Sequence, residues 1–191
     1  MEEIKIFDEN YTYLRNESRD TAHREGHWHE TIHCWLIDGQ SVYLQKRSCE
    51  KKDFPSLFDI TAAGHILADE TVEDGLREVN EELGIDVDHT KLQAQGAVKD
   101  IIELPDFHDY EFANVFLYED TFAPADFVLQ KDEVEGIYTV RKDLFIQLCS
   151  QEIRKVTCQN IRSGESTDIG LEHFVPHEAS YFKQIAVFLT T

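Results

Sequence analysis

Long apolar runs are missing from this sequence: the longest spans residues 185–189, against roughly 20 needed for a helix to cross a bilayer. No transmembrane helix is expected. The first residues, Met1-Glu2-Glu3-Ile4-Lys5, have neither the basic start nor the apolar stretch of a secretory leader, which predicts a cytoplasmic protein. Cysteine is scarce. Cys34, Cys49, Cys149 and Cys158 form no C-x-x-C pair, so free thiols are expected and a disulfide framework is not. Nine glycines and four prolines are too few for a collagen-like, linker-like or disordered chain. Positive charge is the most telling shortage: 18 Lys and Arg stand against 38 Asp and Glu, a net charge of −20. Such a surface repels phosphate backbones and excludes a nucleic-acid or anionic-membrane partner unless the few cations cluster.

What is present suits one folded domain spanning residues 1–191, with 41% of residues from the set AVILMFWYC. Residues 4–7 read as a short strand and the polar stretch 8–26 as an irregular approach. In 31–37, Ile32, Cys34 and Leu36 alternate with His33 and Trp35, the period of a strand. Asp38-Gly39 predicts a two-residue hairpin into a return strand at 41–47. A short strand at 58–61 runs into Ala62-Ala63-Gly64-His65. A helix is predicted from an N-cap at Thr71, through Leu76, Val79 and Leu83, to a stop at Gly84. Strands at 92–102, 111–118 and 136–140 and helices at 142–150 and 178–189 complete an α/β or α+β pattern.

Glu78, Glu81 and Glu82 stand at i, i+3 and i+4, sharing one helix face roughly opposite Leu76, Val79 and Leu83. Two readings compete. The row is either a solvated acidic face, or a set of carboxylates whose repulsion a hard divalent cation relieves.

The flanking residues decide between them. Gly64 through Glu70, followed by Arg77-Glu78-Val79-Asn80-Glu81-Glu82-Leu83-Gly84-Ile85, resembles the Nudix box, G-x5-E-x7-R-E-U-x-E-E-x-G-U with U apolar. The second half matches at every fixed position. In the first half six residues, not seven, separate Glu70 from Arg77. Either the loop is one residue shorter, with Gly64 and Glu70 keeping their roles, which we favour, or Ala63 and Asp69 take them. The resemblance implies a Nudix-type α/β/α sandwich around a mixed sheet, with the box at 64–85, an N-terminal extension at 1–30 and a C-terminal extension at 156–191. It implies a Mg²⁺ or Mn²⁺ site at Glu78, Glu81, Glu82 and the backbone carbonyl near Ala63, and attack by activated water on a phosphorus of a diphosphate. Arg77 and Glu70 would then form a structural ion pair. The general base would be a box glutamate, Glu81 or Glu82, or an acid from a later loop, Glu133 or Glu135.

Further residues resemble the branch of this superfamily that contains type I isopentenyl-diphosphate isomerase. His29, His65 and Glu111 fall at positions matching its three-histidine, two-glutamate metal site, His23 matches with one residue fewer in the intervening loop, Asp109 replaces one glutamate, and Arg47 and Lys51 match cations that hold its diphosphate. Taken alone, the histidines read as exposed polar residues on a strand and its approach; with carboxylates they suit Zn²⁺, Mn²⁺ or Fe²⁺ better than Mg²⁺. Two departures matter: Ala63 replaces the proton-transferring cysteine, and Glu78 replaces a diphosphate-binding arginine. The favoured reading is a metal-dependent hydrolase of a small organic diphosphate. The alternatives are isomerase-like activity and a non-catalytic ligand-binding module. Motifs of more specialised hydrolases are absent: no proline lies between Gly84 and Asp100, and Asp100, Ile101 and Ile102 stand where dinucleoside-polyphosphate hydrolases tend to have a tyrosine. Nucleoside diphosphates therefore come first and prenyl diphosphates second. Trp28, Trp35, Phe107 and Tyr110 either stack on such a substrate or belong to core and rim. The aromatic C-terminal stretch is expected to close the domain or to help form a homodimer.

Overall fold

In a computed structural model describing residues 2–105 and 107–191, the strand β3 (Trp28–Ile37) is the axis of the molecule. All its residues after Trp28 are buried, because both faces of the sheet are covered. Ile32, Cys34 and Leu36 pack on one side with Leu76, Val79 and Leu83, and Trp35 and Ile37 on the other with Phe145, Leu148, Tyr181 and Ile185. These two apolar layers make the α/β/α sandwich. Each large side chain fully withdrawn from water contributes roughly 1.5–3 kcal/mol.

The principal strand order is β11 (Ser166–Ile169), β10 (Val156–Asn160), β9 (Val134–Arg141), β4 (Ser41–Arg47), β3, β1 (Glu3–Phe7), β2 (Tyr13–Ser18). Two short strands, β5 (Phe58–Asp59) on β4 and β6 (Ala62–His65) on β3, and the long antiparallel pair β7 (Leu92–Leu104) and β8 (Phe107–Glu119) complete the sheet. β8 runs parallel to β3, from Trp28↔Tyr110 to Ile37↔Glu119; every other named pairing is antiparallel. The sheet is thus mixed and mostly antiparallel, with four α-helices: α1 (Arg19–Glu25), α2 (Arg77–Leu83), α3 (Lys142–Cys149) and α4 (Ala179–Thr190). β3 and β4 pair at Ile37↔Val42 alone and then separate, β3 taking β6 and β4 taking β5 as neighbours. The separation opens the sheet where the candidate site lies.

Several local expectations need correction. The stretch 8–26 is not irregular: it holds the edge strand β2 and the helix α1, which starts at a Ser18 cap and ends at Gly26 in the left-handed region (φ 69°). The hairpin after β3 has a three-residue connection, 38–40, closed by Asp38 accepting from the backbone N–H groups of Gln40 and Ser41. The box helix is shorter than its periodicity suggests. Thr71 and Asp74 bind each other in a turn, a 3-10 turn covers Asp74–Leu76, and α-helical geometry begins at Arg77. Gly84 (φ 72°) ends it as expected. The strands β10 and β11 have no counterpart among the predicted elements. Cys34, Cys149 and Cys158 are buried free thiols, while Cys49 is exposed. No helix among the described residues is long and apolar enough to cross a membrane. α4 closes one apolar layer through Tyr181, Phe182, Ile185, Ala186 and Leu189.

Candidate active site

The opening between β3 and β4 leads into a cavity of about 1030 Å³, walled by α1, β6, α2, the loop after β4, the start of β8 and the segment before α4. One wall carries the box. Arg77 Nε donates to Glu70 Oε1 (2.6 Å), and Glu70 Oε2 accepts from the Leu67 N–H (2.8 Å). Glu70, not Asp69, therefore meets Arg77, which is the shortened-loop arrangement. Arg77 Nη1 also donates to Glu78 Oε1 (2.5 Å) and Glu81 Oε2 (3.1 Å).

Glu78 lies against the Gly64 backbone, and Glu82 is buried, accepting from Gln45 Nε2 (3.0 Å). Burial, followed by the neighbouring Glu78 charge, raises the Glu82 carboxyl to about 8; Glu78 is also raised, chiefly by burial. Buried Glu82, with no cation bonded to it, beside Glu78, which shares Arg77 with Glu70 and Glu81, fits a divalent cation, which would supply further positive charge. Glu81 lines the cavity with its side chain 53% exposed and is paired to Arg77. The three box carboxylates are therefore not gathered at one point, while Ala63 lines the cavity beside them.

A second group is gathered more tightly. One ligand atom from each of His23, His29, His65 and Asp109 lies within 4.8 Å of all the others, the one such group among the described residues. α1 brings His23, the central strand His29, β6 His65 and β8 Asp109. His29 Nε2 and Asp109 Oδ1 are buried and pair at 3.1 Å, but they are aligned too poorly for a hydrogen bond and neither atom has another hydrogen-bond partner. His65 and His23 are held below their ordinary pKa, mainly by burial, which favours neutral rings, and their Nε2 atoms share a hydrogen bond of 3.0 Å that a metal would replace. Burial opposes protonation of His29 as well, but Asp109 outweighs it and raises that ring. These orphaned donors fit a metal ion. Glu111 stands beside the group but is engaged by His33 Nε2 (3.2 Å).

The remaining candidates divide. Arg47 and Lys51 line the cavity, Arg47 bonded to Asp59 and Lys51 paired with Glu133, which lines it too. Glu135 does not. Strand alternation buries Val134 and Gly136 and sends Glu135 to the surface, where it pairs with Lys46 (2.8 Å); its candidacy as a base is withdrawn. Of the aromatics, Phe107 lines the cavity and Trp35 is core, while Tyr110 meets Trp28, over which Lys99 lies. His177 and its partners Asp59 and Asp100 escaped the sequence reading. The run His173-Phe174-Val175-Pro176-His177 was the one available hint.

A model of the NUDIX domain matches residues 27–155. The chain belongs to the Nudix family. Among Nudix relatives, an uncharacterized Nudix hydrolase of Clostridium acetobutylicum is 34% identical, covering 94% of this chain and 93% of that protein. Another, from Listeria monocytogenes, is 30% identical over 72% of this chain and 85% of its own length. In fold, the crystal structure of DR0079 from Deinococcus radiodurans aligns with a TM-score of 0.59 at 18% identity, covering 78% of this chain and 90% of that one. The Nudix family implies pyrophosphohydrolase chemistry and typically a divalent metal.

Proposed function

We propose that this Nudix protein hydrolyses a small organic diphosphate, a nucleoside diphosphate before a prenyl one, by attack of water on phosphorus. The observation that carries the reading is the pair of carboxylates, buried Glu82 and half-buried Glu78, in the same cavity as Arg47 and Lys51. Glu78 and Glu82, joined by Glu81 once it leaves Arg77 and by the Ala63 carbonyl, would hold Mg²⁺ or Mn²⁺. Such a cation, when bound, neutralises diphosphate charge and makes water more acidic. The chain's own groups do the rest. Arg47 and Lys51 orient the diphosphate, and Glu82, which lines the same cavity, takes the proton from the attacking water. Glu133 is the second candidate for that proton, since it faces the cavity and gives up Lys51 if Lys51 turns to a phosphate.

A second metal at His23, His29, His65 and Asp109, of the Zn²⁺, Mn²⁺ or Fe²⁺ type, is supported by the two orphaned buried atoms. The same cluster supports descent from the isomerase-containing branch. Ala63 offers no exchangeable proton, so hydrolysis remains the proposed reaction. The test is release of phosphate or monophosphate from a diphosphate panel with Mg²⁺ or Mn²⁺, for the wild type and Glu82→Gln. Loss of release in the variant is expected; undiminished release refutes the assigned site, and inactivity of the wild type with ligand-raised melting favours the binding-module alternative.

A further inference from the structure

A chain of alternating buried charges leads from the C-terminal segment to Arg47. The His177 side chain, 6% exposed, stands between two carboxylates: Nε2 lies 2.9 Å from Asp59 Oδ1 and Nδ1 2.5 Å from Asp100 Oδ2. Asp100 also accepts the backbone N–H of Glu178 at the start of α4 (2.9 Å). Asp59 passes the chain on, its Oδ2 accepting from Arg47 Nη1 (2.9 Å). Arg47 donates again to the backbone carbonyls of Asp53 (2.9 Å) and Phe54 (3.1 Å). Three of its five N–H groups are thus used inside the protein, and two remain on a guanidinium that lines the cavity.

The charge state of His177 follows from its neighbours. Burial alone would keep the imidazole neutral, but Asp100 and Asp59 overcome it and raise the ring to about 10. The imidazole of His33, which meets it edge-on, is bound to Tyr181 and Glu111 and does not compete for Asp59. Asp100, His177, Asp59 and Arg47 therefore sum to zero. With a neutral residue at 177, two carboxylates would stand behind one guanidinium, and that net negative charge opposes an incoming anion. The effect matters because this cavity is lined by 12 Asp and Glu but only six Lys and Arg.

We propose that His177, which lies beyond the 27–155 family match, is a positioning residue: it fixes Asp59 so that Arg47 presents its remaining N–H groups to the substrate's diphosphate. The proposal rests on the diphosphate reading above. It assigns to the C-terminal segment a part in the site as well as in the core.

Calorimetric binding of inorganic pyrophosphate in the presence of Mg²⁺ tests it, using the wild type, Arg47→Ala, His177→Gln, His177→Ala and the Arg47→Ala/His177→Gln pair. Each single change is expected to weaken binding roughly tenfold, the double no more than Arg47→Ala alone, because His177 acts through Arg47. His177→Gln keeps the volume and a donor, so it serves if the alanine variant does not fold. Its Mn²⁺ affinity without pyrophosphate should match the wild type, whereas general disruption of the site would lower both. In the wild type at pH 8, ¹⁵N NMR should find both His177 ring nitrogens protonated. Unchanged pyrophosphate affinity in His177→Gln, an additive double variant or a neutral ring overturns the positioning role alone. A wild type that binds no pyrophosphate overturns the diphosphate reading and this proposal with it.

Discussion

Glu78 lies so close to Gly64 that a Cβ on that glycine would sit 2.4 Å from the Glu78 carboxyl carbon. The tolerance is steric, since Gly64 has no positive φ among the glycines that do. Gly64→Ala should therefore push the Glu78 carboxylate off its wall while leaving the fold intact. Diphosphate hydrolysis is expected to fall about 100-fold, as a displacement near 1 Å can cause. Steady-state rates beside an unchanged circular dichroism spectrum check this.

Arg77 binds Glu70, Glu78 and Glu81 at once. Arg77→Ala removes the clamp between loop and helix and leaves three carboxylates facing one another. A loss of about 1–2 kcal/mol is expected in urea titration, between the values for exposed and buried pairs because Arg77 is partly exposed.

The histidine group should bind a transition metal. Zn²⁺ or Mn²⁺ at a hundredfold excess over its dissociation constant should stabilise the protein by about 2.7 kcal/mol, and chelation should reverse the gain. His29→Ala should abolish the response. An equal response in that variant would place the metal elsewhere.

His177 gives the fold a pH dependence of known sign. Its ordinary value is 6.5 and its folded value about 10. The folded state thus holds the proton more tightly, and the stabilisation is complete below pH 6.5, shrinks as pH rises and is gone above about 10. Asp59, lowered to about 2, behaves in the opposite sense: its contribution is present above 3.8 and is lost as pH falls through 2. The stability gap between wild type and His177→Gln should consequently narrow from pH 6.5 to 10. A gap that widens over that range contradicts the charged-ring assignment.

The sandwich and the box were legible because helix core, carboxylates and stop glycine must keep register within one short segment, from Arg77 to Gly84. The edge strand β2 was not, since its first four residues are exposed and carry no apolar alternation. Helix α1, only about two turns long, depends on its caps more than on periodicity. His23, His29, His65 and Asp109 could be grouped by resemblance, while the engagement of Glu111 by His33 needed the structure. The His177 chain was out of reach altogether. Its members Asp59 and Asp100 lie 118 and 77 residues away in sequence, and only the packing of α4 brings them together.

The central claim, water attack on phosphorus at the glutamate wall, is tested most directly by hydrolysis of a nucleoside diphosphate in ¹⁸O-labelled water with Mg²⁺ or Mn²⁺. The account predicts one ¹⁸O on a phosphorus of the products, read by ³¹P NMR or mass spectrometry, and no turnover in Glu82→Gln. Label on the nucleoside carbon side, or labelled phosphate formed equally fast by Glu82→Gln, would contradict it.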